Sequence, residues 1–377
     1  MRGTPVVTVL VVDDSLFVRR TLTKLLESTP SIQVIATAAN GIEAIELAHK
    51  HNPDVITMDV EMPRMDGLTA LTRIMAECPC PVIMISSLTK EGAETTLKAL
   101  ELGALDYTSK VGNSSVPDMD SQDNNLGQKI LTLAKRKPFM RLMHQRAKQE
   151  AATNGAKQGT STAVTQGTRA PAPAFAAQGL GKPRSGRPFE AVLIGVSTGG
   201  PPAVQKILSA LPADFPVPIL IAQHMPAAFT GPFAKRLDIQ SQITVKEAEG
   251  VERLASATAY ICPGGKHLRL ENRFGTLTGV VTAEPLQALY KPSANVLMET
   301  GGLALGRRVL CVMLTGMGSD GLEGTKVLKE KGGYAIAQSE SSCVVYGMPK
   351  AIVDAGLADE VVDIDHMAET ILGFFTR

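Results

Sequence analysis

Acidic side chains and one lysine stand at the ends of apolar runs in the first 110 residues of this chain. Asp13 and Asp14 close the first run, Asp59 closes the third, and Lys110 follows the fifth. The carboxyl ends of parallel strands meet at one edge of a sheet, so these side chains are predicted to converge there. Carboxylate oxygens are ligands that Mg²⁺ prefers. The pattern predicts a pocket in which Asp59 attacks a phosphoryl group and Lys110 binds the phosphoryl oxygens as a point charge.

Ser86 extends this hypothesis, because it ends the fourth apolar run. A hydroxyl at that position could hydrogen-bond a new phosphate and move with it. The alternative for any single acidic residue is a solvated turn at a strand end, since acidic residues are common there. The phosphoryl-transfer interpretation therefore rests on the ordered combination of these residues and not on any one of them.

A second candidate centre surrounds Ser197. Gly195-Val-Ser-Thr-Gly199 fits the G-x-S-x-G pattern, in which a tight turn between a buried strand and a helix exposes a serine. Glycine on both sides permits the strained backbone and leaves the hydroxyl open. The alternatives are a plain glycine turn and a phosphate-binding turn at a helix N-terminus. No full GxGxxG or P-loop motif accompanies the turn.

A serine nucleophile needs a base and a group that orients the base. Of the six histidines, His224 and His267 are the candidates, because the others lie in the N-terminal half or in a polar C-terminal stretch. His224 follows the apolar run Val217–Ala222 and is predicted to lie at the same sheet edge as Ser197. His267 lies in a turn that leads into a predicted hairpin. A triad depends on geometry, so sequence position favours His224 without excluding a plain loop histidine.

Asp320 is the leading candidate for the orienting acid. It lies in Leu-Thr-Gly-Met-Gly-Ser-Asp-Gly, after the predicted strand Val309–Thr315, and the three glycines of that loop expose backbone N–H groups, as an oxyanion hole requires. The order Ser197, His224, Asp320 differs from the Ser, Asp, His order of α/β-hydrolases. The serine turn therefore does not assign this region to that fold.

Apolar runs alternate with amphipathic stretches in both halves of the chain, which is typical of βα units with parallel sheets. Residues 151–187 are rich in Ala, Gly, Thr, Gln and Pro and predict a flexible tether, because they bury too little apolar surface to fold. The predicted domains are 1–128, a helical extension and basic linker over 129–187, and 188–377. The predicted strands are Val6–Val12, Ile32–Ala36, Val55–Met58, Val82–Ile85, Asp106–Ser109, Ala191–Val196, Val217–Ala222, Ala259–Cys262, Val309–Thr315 and Tyr334–Ala337.

The composition of the 377 residues narrows the functional classes. Hydrophobic residues make up 44% of the chain, but aromatic residues only 4%, without Trp, so stacking platforms for bases or sugars are not expected. Neither a secretory signal nor an apolar run long enough for a membrane span is found. The five cysteines are odd in number and lack zinc-like spacing, which indicates reduced core thiols in a cytoplasmic protein.

Charge is distributed unevenly along the chain. Residues 1–128 carry net −7, residues 129–187 net +11 and residues 188–377 net −3. A DNA-binding output domain would be small and basic, so a transcriptional regulator is disfavoured. An inert adaptor would not need an intact Ser197, His224 and Asp320. The basic stretch from Lys135 to Lys148 is either a solvated helix end or a salt-sensitive docking segment for an acidic partner.

The N-terminal motifs resemble the response-regulator receiver family over about residues 6–125. They are Val-Val-Asp-Asp-Ser, Met-Asp-Val-Glu-Met-Pro-Arg-Met-Asp-Gly-Leu and Ile-Ser-Ser, followed by the lysine at position 110. The resemblance implies a flavodoxin-like, doubly wound domain of five parallel strands. It also implies that Asp59 accepts the phosphate and that Asp13 and Asp14 hold Mg²⁺ together with it.

The same resemblance implies a switch. It implies that Ser86 and Tyr107 are the switch pair, which moves on phosphorylation, and that Lys110 contacts the phosphate. Val111 stands where the family usually has proline. That departure concerns the local peptide geometry and not the role of Lys110.

The C-terminal motifs resemble the chemotaxis protein-glutamate methylesterase (CheB) family, which also has a receiver in front. They are Gly-Val-Ser-Thr-Gly-Gly-Pro, Gln-His-Met-Pro-Ala-Ala-Phe-Thr, Lys-Pro-Ser-Ala-Asn, Leu-Thr-Gly-Met-Gly-Ser-Asp-Gly and Ser-Cys-Val-Val-Tyr-Gly-Met-Pro-Lys. The resemblance implies that Ser197 is the nucleophile, His224 the base and Asp320 the orienting acid. It further implies that the Met317 N–H helps to bind the oxyanion and that Thr198 supports the histidine.

Three departures from the family pattern concern substrate fit and loop shape more than chemistry. The usual Gly-Ala-Ser is Gly-Val-Ser here, Gly250–Pro263 lacks an expected Pro-Gly, and Asn295 stands where Asp is common.

The resemblance implies a mostly parallel, doubly wound α/β catalytic domain and a defined reaction. That reaction is phosphorylation-activated hydrolysis of glutamyl methyl esters on methyl-accepting chemotaxis receptors, with deamidation of specific glutamines. Mg²⁺ would serve the receiver, and the esterase step would need no cofactor. The implied partners are a chemotaxis histidine kinase and chemoreceptors, without nucleic acid or direct membrane insertion. The implied location is the cytoplasm, at receptor clusters.

Overall fold

Two parallel sheets organise the chain in the computed structural model, which describes residues 6–87, 89–110, 126–155 and 189–375. The central strands of both sheets are buried along their whole length, as in sheets that are covered by helices on both faces. The predicted pair of α/β domains is therefore confirmed. Residues 151–155, predicted to begin the flexible tether, are helical instead. Val111, residues 156–187 of the predicted tether, and the first residues of a helical pattern that begins at Asp123 lie outside the described residues.

The receiver sheet has the strand order 2-1-3-4-5, with every neighbouring pair parallel, as in flavodoxin-like domains. The five strands predicted from apolar runs are confirmed. Ser15 and Asn40 cap the first two helices, because their side chains accept hydrogen bonds from the first free backbone N–H groups. The elements are β1 (Val7–Val12), α1 (Leu16–Glu27), β2 (Ile32–Ala38), α2 (Gly41–His51), β3 (Val55–Asp59), α3 (Gly67–Glu77), β4 (Val82–Ser86), α4 (Lys90–Glu101), β5 (Asp106–Ser109) and α5 (Leu126–Leu133).

The helical stretch after the receiver strands is interrupted just before Pro138. A 3₁₀ turn, Ala134–Arg136, separates α5 from α6 (Lys137–Gly155). Pro138 lies in the first turn of α6, where its missing N–H removes no helical hydrogen bond. The predicted domain boundary at residue 128 falls within α5, whose buried side chains pack against the receiver strands.

Part of the basic stretch binds the receiver. The Lys137 ammonium donates hydrogen bonds to the Asn52 carbonyl, at 2.7 Å, and to Asp54 Oδ1, at 3.0 Å. Arg141 donates to the Asn52 side chain. Lys135 and Lys148 are exposed. These contacts join the first turns of α6 to the acidic receiver, and salt-sensitive docking of the basic stretch on the receiver or on a receptor stays a prediction.

The C-terminal domain, which the resemblance predicts to be the catalytic domain, is built on a seven-stranded sheet in which all neighbouring pairs are parallel. Its elements are β6 (Ala191–Val196), α7 (Gly200–Leu208), β7 (Ile219–Gln223), α8 (Ala227–Gln240), β8 (Thr244–Glu247), β10 (Thr258–Ile261), α9 (Ala294–Leu305), β13 (Val309–Met313), α10 (Leu322–Glu330), β14 (Tyr334–Gln338), α11 (Met348–Asp354), β15 (Glu360–Val362) and α12 (Ile364–Leu372). The strand order is β15-β14-β13-β6-β7-β10-β8.

The predicted strand from Val217 begins two residues later, because prolines on both sides of Val217 cannot donate to a neighbouring strand. The edge strands β8 and β15 are short and partly exposed, and the apolar pattern did not indicate them. A separate antiparallel sheet joins β9 (Val251–Arg253), β11 (His267–Arg273) and β12 (Thr276–Thr282). Strands β11 and β12 form the hairpin that was predicted after His267.

The two domains contact each other through α4, β5 and α5 of the receiver. Glu101 at the end of α4 accepts hydrogen bonds from Arg236 and Gln240 of α8. Apolar side chains of α4 and α8 line a small cleft next to this ion pair, together with two prolines of α7. Val345, in the loop before α11, is buried in the same apolar cluster as α5. The receiver therefore packs on the loops at the carboxyl ends of the catalytic strands.

Candidate active site

Ser197 and His224 leave neighbouring strands at the same level. Val196 of β6 is in register with Gln223 of β7, so the next residue of each strand emerges side by side. The His224 N–H donates to the Val196 carbonyl at 3.0 Å, and the Ser197 N–H donates to the Thr315 carbonyl at 3.0 Å. The backbone pairing of three parallel strands thus brings nucleophile and base candidates together, as predicted from sequence.

The glycines after Ser197 are required by close packing. Gly199 has a φ of +75°, and a Cβ at this position would lie 2.4 Å from the Val344 side chain. A Cβ on Gly200 would lie 2.1 Å from Gln223 Oε1. Any larger residue would push the serine turn away from its neighbours. The strained-turn interpretation of the motif is therefore supported by this geometry.

His224 pairs with Asp320 and not with another acid. The distance from His224 Nε2 to Asp320 Oδ2 is 2.8 Å, and both side chains are nearly buried. This contact leaves Nδ1 as the second imidazole nitrogen, the one that is free for proton transfer with a hydroxyl. Of the two histidines left open by sequence, His224 is the one that joins Asp320 beside Ser197.

Asp320 is anchored at the N-terminus of α9. Its Oδ1 accepts from Ser293 Oγ, at 2.9 Å, and from the Asn295 N–H, at 3.1 Å, while Oδ2 also accepts from the Ala294 N–H, at 2.6 Å. Burial alone would raise the pKa of Asp320, but the hydrogen bond and charge of His224 and these backbone donors outweigh it and lower the pKa. Sequence reasoning missed Ser293 as a partner, although the motif Lys-Pro-Ser-Ala-Asn contains it.

Asn295 of α9 binds the loop that contains Gly316, Gly318 and Gly321, which we call the glycine loop. Its Oδ1 accepts from the backbone N–H groups of Gly321 and Gly324, each at 2.9 Å. At the other end of the loop, a Cβ on Gly316 would lie 2.8 Å from Ser197 Cβ, so the backbone approaches the serine closely. The position fits an oxyanion site, and the role of the Met317 N–H stays a prediction.

Thr198 contacts the receiver. Its hydroxyl donates to Asp106 Oδ2 at 2.8 Å, and Lys129 lies 3.1 Å from the same oxygen. The predicted support of His224 by Thr198 stays a prediction. In this arrangement the single hydroxyl proton is used by Asp106, so Thr198 could act toward the imidazole only as an acceptor.

The receiver pocket gathers the predicted acidic side chains. Carboxylate oxygens of Asp13, Asp14 and Asp59 lie within 4.8 Å of one another. Lys110 Nζ is 2.9 Å from Asp59 Oδ1 and 3.4 Å from Asp13 Oδ2. Burial raises the pKa of Asp59 to about 6, although the Lys110 contact opposes the shift, and burial also raises the pKa of Asp13. The pocket therefore favours a partner that adds positive charge.

The predicted switch residues lie on the neighbouring strands β4 and β5. Ser86 Oγ accepts from Thr96 at 2.6 Å and lies 3.2 Å from the Gly92 carbonyl. Tyr107 is buried, and its ring is stacked on Phe229 of α8. The role of Ser86 and Tyr107 as a switch pair stays a prediction, and the structure adds Phe229, which no sequence motif had indicated as a partner of Tyr107.

His267, the other candidate base, has no comparable carboxylate partner among the described residues. It is fully buried at the start of β11, and within the described part of the chain neither ring nitrogen makes a hydrogen bond of good geometry. Burial lowers the pKa of His267, with a smaller opposing effect of the Pro285 carbonyl. A neutral core histidine accounts for these features.

Comparisons with known proteins support the assignment of both domains. Residues 9–116 match the family model for the response regulator receiver domain, and residues 192–371 match that for the CheB methylesterase. A protein-glutamate methylesterase/protein-glutamine glutaminase 1 from Oleidesulfovibrio alaskensis is 58% identical over 365 residues, which are 97% of this chain and 98% of the relative. The protein-glutamate methylesterase/protein-glutamine glutaminase 2 from Nitratidesulfovibrio vulgaris is 58% identical over 366 residues, which are again 97% of this chain and 98% of the relative.

The crystal structure of the Thermotoga maritima CheB methylesterase catalytic domain is 37% identical, with a TM-score of 0.48; the match covers 49% of this chain and 97% of that one. The near full-length identity to the two curated relatives and the order of the two matched domains lead to one conclusion: the chain belongs to the CheB family of protein-glutamate methylesterases/protein-glutamine glutaminases.

Proposed function

We propose that this protein hydrolyses glutamyl methyl esters on methyl-accepting chemotaxis receptors, and deamidates specific receptor glutamines, under phosphorylation control for sensory adaptation. The observation that carries the proposal is the 2.8 Å contact between His224 Nε2 and Asp320 Oδ2 next to Ser197. The names of the relatives supply the substrate class, since both are protein-glutamate methylesterases/protein-glutamine glutaminases.

In the acylation step, His224 Nδ1 accepts the Ser197 proton while the serine oxygen attacks the ester carbonyl carbon. Asp320 holds the opposite nitrogen and stabilises the imidazolium that forms. The lowered pKa of Asp320 keeps this carboxylate ionised at neutral pH. The imidazolium then donates its proton to the departing methoxide oxygen, and methanol leaves an acyl-serine.

Deacylation repeats the sequence with water as the nucleophile. His224 accepts a proton from the water, and the water oxygen attacks the acyl carbon. Collapse of the intermediate returns the proton to Ser197 and releases a glutamate side chain. With a glutamine substrate the first leaving group is ammonia, which is a poorer leaving group and depends more on the proton from His224.

The oxyanion of each tetrahedral intermediate would be bound by backbone N–H groups of the glycine loop, among them that of Met317. The loop is held by Asn295 from one side and by its approach to Ser197 from the other. Donors that are fixed before the reaction need no reorganisation when charge develops.

Phosphorylation of Asp59 is the proposed control. The pocket fits Mg²⁺, because its donors are all carboxylates and the buried Asp13 Oδ2, although 3.4 Å from Lys110 Nζ, accepts no hydrogen bond of good geometry from the described residues. When bound, Mg²⁺ would neutralise charge on the incoming phosphoryl group. Asp13, Asp14 and Asp59 would hold it, and Lys110 would contact the phosphoryl oxygens.

The unphosphorylated receiver would restrain the catalytic domain by covering it. Its Asp106 binds Thr198, the residue after the nucleophile, and its α5 residue Thr132 lies 3.9 Å from the Met317 sulfur. Both contacts involve proposed catalytic elements, so a receptor segment could not reach them while the receiver is docked. Release of the receiver would also free the Thr198 hydroxyl to support His224.

The proposed partners follow from these chemistries. A chemotaxis histidine kinase would donate the phosphoryl group, and chemoreceptors would be the substrates. The proposed location is the cytoplasm, at receptor clusters, in keeping with five free cysteines. No helix of the described segments is long and apolar enough to cross a membrane. Nucleic acid is not proposed as a partner, since the catalytic half carries a net negative charge.

The test is methanol release from methylated receptor-containing membranes by the full chain, with Mg²⁺ and a small-molecule phosphodonor. Wild-type protein should release methanol, and Ser197→Ala should release none above the rate without enzyme. Equal release by both proteins would rule out a serine mechanism. Mass spectrometry of the receptors would show whether glutamines are converted to glutamates.

A further inference from the structure

Tyr290 lies flat against the imidazole of His224. The two ring centroids are 4.3 Å apart and the planes differ by 8°. We propose that Tyr290 is a positioning residue for the reaction, holding the plane of the imidazole and stabilising the imidazolium. The inference rests on the proposed function of His224 as the base. Tyr290 belongs to none of the sequence motifs that indicated the site.

The hydrogen bond to Asp320 does not by itself orient the imidazole. A bond from Nε2 to one carboxylate oxygen fixes that nitrogen but tolerates rotation of the ring about the donor–acceptor line. Rotation would carry Nδ1 away from Ser197. A parallel ring at van der Waals distance removes this freedom, because any tilt brings the two planes into collision. Asp320 therefore fixes one edge of His224 and Tyr290 fixes its plane.

Tyr290 is itself held on a structured segment. The next residue, Lys291, accepts a hydrogen bond through its carbonyl from the Gly265 N–H at 2.9 Å. The stretch that binds Asp320 begins at Ser293, three residues after Tyr290. On the far side, a Cβ on Gly318 would lie 3.4 Å from the Tyr290 hydroxyl oxygen, which places the phenol beside the glycine loop. One segment thus presents both the carboxylate anchor and the stacking ring.

The ring also has an electrostatic effect that appears only during the reaction. His224 becomes a cation when it holds the serine proton, and the face of an aromatic ring attracts a cation at this distance. The His224 side chain is only 9% exposed, so little water competes with the attraction. An interaction that strengthens in the transition state raises kcat and leaves KM unchanged.

The closing experiment compares Tyr290→Phe with Tyr290→Leu in the full chain, with Mg²⁺ and a small-molecule phosphodonor. Phe keeps the ring, while Leu fills part of the volume without a π face. We expect Tyr290→Phe to stay within about twofold of wild type, and Tyr290→Leu to lose about tenfold in kcat with unchanged KM. Melting temperatures of both variants serve as the folding control. A Tyr290→Leu protein with wild-type kcat, or one whose loss is entirely in KM, would overturn the inference.

A spectroscopic signature tests the stack without turnover. The chain has six histidines, so ¹³C-labelled histidine gives few ring signals, and His224→Gln assigns the relevant one. Ring protons of His224 should be shifted upfield in wild type and in Tyr290→Phe, and should return toward ordinary values in Tyr290→Leu. An unshifted wild-type signal would also overturn the inference.

Failure of the proposed function would look different. If wild type releases no methanol, or Ser197→Ala releases as much as wild type, the esterase proposal fails irrespective of Tyr290. If wild type is active, Ser197→Ala is inactive and Tyr290→Leu equals wild type, only the positioning role fails.

Discussion

Tyr107 of the receiver stacks on Phe229 of the catalytic domain, with ring centroids 4.7 Å apart and planes 13° apart. Tyr107 follows Asp106, which binds Thr198, and Phe229 lies in the first turn of α8, just after His224. A receiver residue that the family resemblance assigns to the switch therefore touches the helix that follows the proposed base. Any movement of Tyr107 on phosphorylation would therefore change the packing of this interface directly.

The first prediction concerns inhibition of the catalytic domain by the docked receiver. The fragment Phe189–Arg377 should have higher basal esterase activity than the full chain, because it lacks the contacts over Thr198 and Met317. Asp59→Asn should keep the full chain at low activity and unresponsive to phosphodonor with Mg²⁺. A coupling of about 1–3 kcal/mol corresponds to about 5- to 150-fold activation. A fragment no faster than the unphosphorylated full chain would mean that the receiver acts in some other way.

The second prediction uses the ion pair between Glu101 and Arg236. The hydrogen bonds from Arg236 lower the pKa of Glu101. The side chains of Arg236 and Glu101 are only 30% and 26% exposed. Glu101→Arg should weaken docking through like-charge repulsion and raise basal methanol release several-fold. Adding Arg236→Glu should restore an opposite pair and return the activity toward wild type. Glu46→Arg is the charge-matched control, since Glu46 is exposed on α2, outside the α4, β5 and α5 contacts with the catalytic domain. Additive effects of the two Glu101 and Arg236 substitutions would count against the contact.

The third prediction concerns unequal members of the triad. Ser197→Ala and His224→Ala should each lower kcat by on the order of 10⁶-fold, because nothing replaces the nucleophile or the base. Asp320→Asn should cost on the order of 10⁴-fold, since Asp320 orients and stabilises His224 without taking part in bond making. The measurement is single-turnover methanol release. Equal residual rates for all three variants would contradict the assigned roles.

The fourth prediction concerns Ser293, which donates to Asp320 Oδ1 at 2.9 Å. Ser293→Ala should lower kcat about tenfold, because one donor to the buried carboxylate is lost and the carboxylate holds His224 less firmly. Ser319→Ala removes an exposed hydroxyl from the residue before Asp320 and should leave kcat unchanged. Similar effects of the two substitutions would show that Ser293 has no special role.

The fifth prediction concerns pH-dependent stability at His267. Burial lowers the pKa of this imidazole below its ordinary 6.5, so the unfolded chain binds the proton more readily than the folded protein. Stability should therefore fall as the pH drops below about 6.5 and level off below the folded pKa. In His267→Gln, the decrease in melting temperature between pH 7.5 and 5.5 should be smaller than in wild type. An identical decrease would mean that His267 does not titrate differently in the two states.

The sequence alone determined the two-domain plan and most strand positions. Runs such as Val55–Met58 and Ala191–Val196 are apolar throughout because central parallel strands are buried on both faces. It also placed Asp59, Ser197 and His224 at strand ends, and parallel strands bring such residues to one edge irrespective of the loops between them. Edge strands such as β15 were missed, because half-exposed backbone leaves no strong apolar pattern.

Only the tertiary structure decided which side chains meet across elements. It selected His224 over His267, showed that Nε2 is the nitrogen bound to Asp320, and brought Tyr290 onto the imidazole. It also joined Thr198 to Asp106 from the other domain. Local pattern encodes burial and turn shape, but these contacts depend on how loops and domains pack. The residues that meet in these contacts are tens of residues apart along the chain, and no periodic sequence pattern links them.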